Sequence, residues 1–379
     1  MDKINLLFIV TIISLFVSFF LTFFLLTVQT KHKTSNSLFA LFVVICAIDA
    51  CEPLFNLFTD GPSNLGIFRT TFAFLQIPVF YLYVLSVCFT DFKLKRQHLL
   101  HLLPFIVSNL VLVPRFYSVD IASKISFIQN RQSMIELQFI HILIHTQIIA
   151  YIIAVFMILK KAKKLYLENY SGTSINSYNW LFQFTSVLTF LYFIALVKNI
   201  FKFSDYPAFS QSLKTGGLVL HLLIVCWYLF KALNNPDLFR SIDSKLKLVK
   251  NIISEEVNNP QHVVNEKEYS EELLKLKHYM TTKKPFLNPS LTIQDVSKDI
   301  AIPVRDLSLL INHKLEQHFY DFVNTYRIES AMEILKDATK SKVTILEILY
   351  EVGFNSKSSF NTAFKKHTGN TPTEYRKNL

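Results

Sequence analysis

Residues Ser356–His367, "SKSSFNTAFKKH", hold the side chains best suited to recognition chemistry. Phe360 and Phe364 lie four apart, so on a helix they share one face and can anchor it to a core. The opposite face carries Lys357, Ser358, Asn361 and Thr362. These are short or flexible hydrogen-bonding groups, the inventory that reads base edges in a DNA major groove. Lys365, Lys366, Arg376 and Lys377 can neutralise phosphates, and the amides at the Ser356 end can bind one as well. From Gly353 onward the sequence has five basic residues and one acid, Glu374.

Such a helix must be held by neighbours, and the preceding residues supply them. "TILEILYEV" reads as a first helix, Gly353 as the tight turn and Ser356 as the cap of the second. The same pattern occurs once upstream. "LTIQDVSKDI" has Thr292 as N-cap, with Ile293, Val296 and Ile300 on its buried face. After a turn at Ala301–Ile302, Pro303 suits the first position of "PVRDLSLLINHKL". That helix is expected to bury Leu307, Leu310 and Ile311 and to expose Arg305, Ser308 and Asn312. A long helix, "FYDFVNTYRIESAMEILKD", joins the two pairs. Two helix-turn-helix units connected by a helix describe this region economically, with about seven helices and no strand.

"GFNSKSSFNTAFKKHTGNTPTEYR" resembles the end of AraC-type (AraC/XylS) transcriptional regulators, whose pattern is roughly G-F-x-S-x-S-x-F-x-x-x-F-K-x-x-x-G-x-T-P-x-x-Y-R. "YRIESAMEIL" is similar to the linker helix of that domain, and "KPFLNPSLTIQDVS" to its beginning. The resemblance covers about the last 95 residues, one quarter of the chain. It implies sequence-specific DNA binding by two helix-turn-helix units and control of transcription. By position it implies base contacts from Lys357, Ser358, Asn361 and Thr362, with Arg305, Ser308 and Leu309 as counterparts in the first unit. Ala301 stands where the family usually has a turn glycine, and Pro303 where it usually has a serine cap. Leu349 replaces a residue commonly small. Leu291–Lys340 holds six basic and eight acidic side chains, so the first unit is expected to contact DNA weakly or to support the second.

The rest of the chain has a different composition. Of 379 residues, 36 are Phe and only 18% are charged, against about a quarter in soluble domains. Seven runs are long enough to cross a bilayer: Ile4–Thr27, Ser37–Phe58, Arg69–Phe89, His98–Val113, Glu136–Leu159, Asn179–Ile200 and Thr215–Leu233. The first is too long for a secretory h-region, and no small-residue cleavage site follows it. Nine Lys and Arg occupy the loops after odd-numbered runs and six those after even-numbered runs. This bias puts the odd loops and the C-terminal tail in the cytoplasm and the N-terminus outside. The location expected is a bacterial inner membrane, crossed several times.

Residues 234–289 read as a helical linker between a membrane domain at 1–233 and a DNA-binding domain at 290–379. Ile242, Leu246, Val249 and Ile253 form an apolar seam, and "YSEELLKLKHYM" a second amphipathic helix with Ser270 as its cap. The seam fits packing on a neighbouring domain or a homodimer that conveys signal.

Charged groups inside a bilayer cost roughly 2.5–3.5 kcal/mol each on insertion scales. Asp49 and Glu52 sit three apart in the second run, His141 and His145 four apart in the fifth, and His221 in the seventh. All five fall in outer halves, with Arg69 and Lys198 near outer ends. They could line a pocket for a small-molecule ligand, form a structural hydrogen-bond network, or hold a transition metal between imidazole and carboxylate. Cys46, Cys51, Cys88 and Cys226 lie in apolar runs without CxxC spacing and are expected to be inert. No nucleotide-binding loop, nucleophile elbow or zinc-protease motif appears, so no enzyme and no cofactor is expected.

The expected fold is all-α: a seven-helix transmembrane bundle followed by a cytoplasmic double helix-turn-helix domain. Its expected partners are double-stranded promoter DNA, RNA polymerase, membrane lipid, a second copy of the chain and a small-molecule ligand. The alternative is a membrane receptor or transporter whose helical tail docks a protein partner.

Overall fold

A computed structural model describes residues 6–28, 33–59, 61–130, 133–172, 175–202, 207–234 and 266–379. Helices dominate, and no strand occurs among the described residues. The expected seam at Ile242–Ile253 lies outside them. The chain divides into two compact units. One comprises Met1–Leu159 with Trp180–Ser241, the other Lys160–Asn179 with Ile242–Leu379.

Among the described residues, seven helices are long and apolar enough to cross a membrane. They follow the seven expected runs with shifted ends. The principal elements of the first unit are α1 (Leu6–Thr27), α2 (Lys33–Ala50), α3 (Glu52–Phe55), α4 (Asn64–Thr71) and α5 (Ala73–Cys88). Next come α6 (Leu103–Leu112), α7 (Ile121–Gln129), α8 (Ile135–Asn169), α9 (Ile175–Lys202) and α10 (Pro207–Asn234), with α8 from Lys160 onward and α9 up to Asn179 belonging to the second unit. The fourth span, expected to be short, gains length from a 3-10 turn before α6 and a π turn after it, giving Arg96–Tyr117. Phe16, Phe19, Ile142 and Met157 are exposed, Phe19 by 72%, so this surface requires an apolar solvent. The interior is aromatic: Phe39 stacks on Tyr228 at 3.8 Å between centroids, with Tyr83 and Phe184 against them.

Two prolines orphan backbone carbonyls here, and in lipid each unsatisfied group costs several kcal/mol. Pro53 has no N–H to offer Asp49 O, so α2 stops at Ala50 and Glu52 opens α3. The expected single helix over Ser37–Phe58 is therefore broken, and Asp49 and Glu52 do not share one helix face. Arg69 Nη1 replaces the missing donor at 2.8 Å from Asp49 O and also reaches Ile48 O at 3.1 Å. That is why Arg69, expected near an outer end, is 7% exposed. Pro78 inside α5 likewise frees Phe74 O, which accepts from Gln147 Nε2 at 3.1 Å.

The fifth span departs most from expectation. Helix α8 is 35 residues long, about 52 Å, whereas a bilayer core is about 30 Å thick. The lysines at 160, 161, 163 and 164 end the apolar run but not the helix, because Lys is a good helix former.

The second unit holds α11 (Glu266–Lys283), α12 (Ile293–Ile300), α13 (Val304–Leu309), α14 (Phe319–Lys336), α15 (Ile345–Glu351), α16 (Lys357–Thr368) and α17 (Pro372–Lys377). Ser270 falls inside α11 rather than capping it, since the helix begins four residues earlier. Two apolar cores form. Leu276 and Met280 of α11 join Ile293, Val296, Leu307, Ile311 and Phe322 in the first. Ile328, Ala331, Ile348, Leu349, Phe360 and Phe364 form the second. Helix α14 contributes to both and so ties the halves together. Leu349, large for its place in the pattern, is fully buried there.

Candidate nucleic-acid interface and a membrane-domain cavity

The second helix-turn-helix unit is built by local rules. Thr344 caps α15, exchanging hydrogen bonds with Glu347. Gly353 then adopts φ +87°, a conformation natural only to glycine. Ser356 Oγ accepts from Ser359 N and starts α16. Phe360 and Phe364 are fully buried, which fixes the rotation of the helix. Lys357, Ser358, Thr362, Lys365 and Lys366 are consequently exposed, and Asn361 and Ser356 half-buried. Thr362 Oγ1 donates back to Ser358 O at 2.8 Å, and Lys366 Nζ lies 2.7 Å from Asp321 Oδ1 of α14. Exposed ion pairs contribute about 0–1 kcal/mol, so a phosphate can displace this one. Arg376 is half-buried at the end of α17.

The first unit repeats the plan less cleanly. Thr292 and Asp295 form a capping box at α12. Ala301 takes φ 52°, ψ 41°, the left-handed turn that costs a side-chain-bearing residue about 1 kcal/mol. Ser297 Oγ offsets part of that by donating to Ile302 O at 2.6 Å. Pro303 is the N-cap of α13 rather than its first residue. Arg305 is half-exposed, 3.9 Å from Asp306. Ser308, expected on the exposed face, is 4% exposed, and Leu309 2%. Asn312 is half-buried, with Nδ2 at 3.2 Å from Ser308 Oγ and 3.3 Å from Glu168 O.

Arg327, to which the sequence reading gave no role, lies at the junction of the two cores. It is 1% exposed. Nε donates to Phe286 O at 2.7 Å, Nη1 to Ser171 O at 2.8 Å and Asn324 Oδ1 at 3.1 Å. Nη2 donates to Asn288 O at 2.8 Å and Ser171 Oγ at 3.2 Å. The guanidinium also sits over the Phe354 ring, 5.4 Å from its centroid. Burial lowers its pKa to about 10, so it stays charged at neutral pH. One signal was legible: Val323, Arg327 and Ala331 are spaced four apart, which puts Arg327 on the apolar stripe.

A sequence profile described as "Helix-turn-helix domain" matches residues 296–378. An uncharacterized transcriptional regulatory protein, YesN, of Bacillus subtilis is 34% identical over 92 residues, 24% of this chain and 24% of its own. The melibiose operon regulatory protein of Escherichia coli K12 is 30% identical over 88 residues, 23% of this chain and 28% of its own. A helix-turn-helix-type transcriptional regulator of Staphylococcus aureus is 35% identical over 86 residues, 23% of this chain and 11% of its own. The C-terminal quarter is an AraC-type helix-turn-helix domain. The chain spans less than a third of the length of each of these relatives. No solved structure matches it significantly.

The first unit thus includes an unusual solution for an AraC-type domain, a left-handed alanine at 301 in place of glycine. The second keeps glycine at 353, where substitution has no such latitude. A Cβ there would lie 2.5 Å from Phe286 O and 2.7 Å from Leu287 O.

Far from the AraC-type domain in sequence, the first unit encloses a cavity of about 210 Å³. Three of the five expected pocket residues, Asp49, Glu52 and His221, line it; His141 and His145 do not. Gln76, Tyr192, Lys198 and Lys214 add polar groups, and Phe39, Phe184 and Tyr228 an aromatic wall. Glu52 Oε1 pairs with Lys214 Nζ at 2.8 Å, and His221 Nδ1 lies 3.1 Å from Ser14 Oγ. Asp49 is exposed and lines the cavity. His145 Nε2 instead meets Asn199 Nδ2 at 3.3 Å, with the His141 ring parallel to its own at 6.5 Å. Among the described residues no three His, Cys, Asp or Glu side chains gather as a metal site.

Proposed function

We propose that this chain is a membrane-bound transcription regulator that binds promoter DNA through its AraC-type domain and responds to a ligand in the cavity of its membrane unit. The observation that carries this reading is the coexistence, in one chain, of that domain with seven helices apolar enough to cross a membrane. Loop charge supports a cytoplasmic tail and an external N-terminus in a bacterial inner membrane. In that orientation Asp49, Glu52, Lys198 and Lys214 come from the outer ends of their segments. Two carboxylates and two ammonium groups beside an aromatic wall suit a small amphiphile from outside or from the outer leaflet. A ligand acts only by binding one arrangement of helices better than another, and the DNA-bound form is then favoured or disfavoured. RNA polymerase and a second copy of the chain are the further partners this role calls for.

Base reading and phosphate binding are separable in α16. Asn361→Ala is expected to relax base preference by roughly tenfold at one position, since a bidentate base contact is worth about 1–3 kcal/mol. Lys365→Ala is expected to weaken binding to all sequences and lower the salt dependence of affinity by about one counterion. Competition binding at several salt concentrations distinguishes them; equal loss of preference from both would contradict the roles assigned. In the cavity, Asp49→Asn with Glu52→Gln removes both carboxylates with little change of shape. A reporter gene driven by the target promoter is expected to lose its ligand response while the protein remains in the membrane. A full response in that double variant would remove the cavity from the account.

A further inference from the structure

The cytoplasmic extension of α8 offers a surface that the proposed function leaves unused. Residues Lys160–Asn179 belong to the same compact unit as the AraC-type domain. Ser171 is the centre of their contact: it is 1% exposed, and its N and Oγ both donate to Leu291 O, at 3.2 and 2.8 Å. Its carbonyl and hydroxyl in turn accept from Arg327. Tyr170 pairs with Thr292, the cap of α12, as an isolated antiparallel bridge. Glu168 O accepts from Asn312, one turn beyond Ser308. The contact is polar, directional and rooted in backbone groups on both sides, unlike a casual touch of exposed side chains.

Its position matters as much as its strength. Helix α13 is the second helix of the first helix-turn-helix unit, the element that lies in a major groove when such a unit reads DNA. The family resemblance assigns Ser308 and Leu309 to base contacts, and both are buried here, with Asn312 tied to the end of α8. Glu168 O is thereby held one turn from Ser308, where a major groove seated on that helix would meet it. We propose that the end of α8 masks the reading face of the first unit. In the docked form the protein reads DNA through α16 alone, and undocking adds a second set of base contacts. Residues 160–172 and DNA are rival occupants of one surface, so anything that moves the end of α8 sets the length of the sequence read. This inference rests on the AraC-type domain binding DNA.

The test uses the full-length chain in lipid nanodiscs and a pool of random 40-base-pair duplexes, with sequencing of the bound fraction. Ser171→Trp puts an indole where no space exists, and Ser171→Arg puts a second guanidinium against Arg327. Ser171 lies outside the DNA-reading helices. The wild type is expected to specify one block of bases. Either variant is expected to specify two blocks about 10 base pairs apart, the spacing of successive major grooves. It should also bind its best fragment roughly tenfold more tightly. Adding Arg305→Ala to Ser171→Trp is expected to erase the second block. The same number of blocks in wild type and both Ser171 variants would overturn the masking while leaving DNA binding intact. No specified block in any of them would overturn both the masking and the function on which it rests.

Discussion

Gly353→Ala is expected to abolish specific DNA binding without touching a base-reading side chain. Two separate costs fall on one methyl group. The backbone at φ +87° disfavours any side chain by about 1 kcal/mol or more. The new Cβ would also press to 2.5 Å from Phe286 O and 2.7 Å from Leu287 O, and these are backbone atoms. They cannot swing aside as a side chain would, so an overpacking cost of about 1–3 kcal/mol adds to the first. A loss of about 3 kcal/mol is a large share of the roughly 5–15 kcal/mol that stabilises a domain. Pulse proteolysis of the full-length protein in urea should show earlier cleavage within residues 284–379, and DNA binding should fall in parallel. Stability equal to wild type would mean that the turn after α15 tolerates a different path.

Arg327→Met carries the second large effect. The side chain keeps its apolar length but loses every donor. Phe286 O and Ser171 O, both on buried residues, then lose their guanidinium partner, while Asn288 O, on an exposed residue, keeps the amide of Leu291. Each buried acceptor left alone costs about 1–3 kcal/mol, so the expected loss is about 3 kcal/mol. Arg327→Lys should recover only part, because a point charge cannot span acceptors arranged around a planar fork. The same proteolysis assay reads both variants. If Arg327→Met proved as stable as wild type, the guanidinium would not be what joins the lead-in at Phe286–Asn288 to α14.

How far these features were legible depends on how local their causes are. The caps at Thr292 and Ser356, the turn at Gly353 and the apolar faces of α12 and α16 follow from short-range rules, and the structure places them as expected. Features set by distant partners were not legible. Ser308 has the spacing of an exposed residue, yet it is buried beside Asn312, one of whose partners, Glu168 O, is more than 140 positions away. Arg69 reads as an interfacial cation, but it serves the carbonyl of Asp49, which Pro53 leaves without its helical donor, together with that of Ile48. The end of α8 was hidden for a different reason. Hydropathy marks where a membrane ends, not where a helix does, and Lys160–Lys164 satisfied the first test while continuing the second. Among the candidate pocket residues, His141 and His145 share a helix face with each other but not with the cavity, a fact of helix rotation that spacing alone does not fix.

A DNA-reading domain joined to a membrane in one working molecule must find its sites from the membrane face. Crosslinking the full-length protein to DNA in its native cells, followed by sequencing of the recovered fragments, measures this. Discrete sites upstream of a small number of genes are expected, recovered from the membrane fraction and lost when Asn361 and Lys365 are both replaced by alanine. Diffuse recovery, or none, from protein confirmed in the membrane under several growth conditions would contradict that expectation.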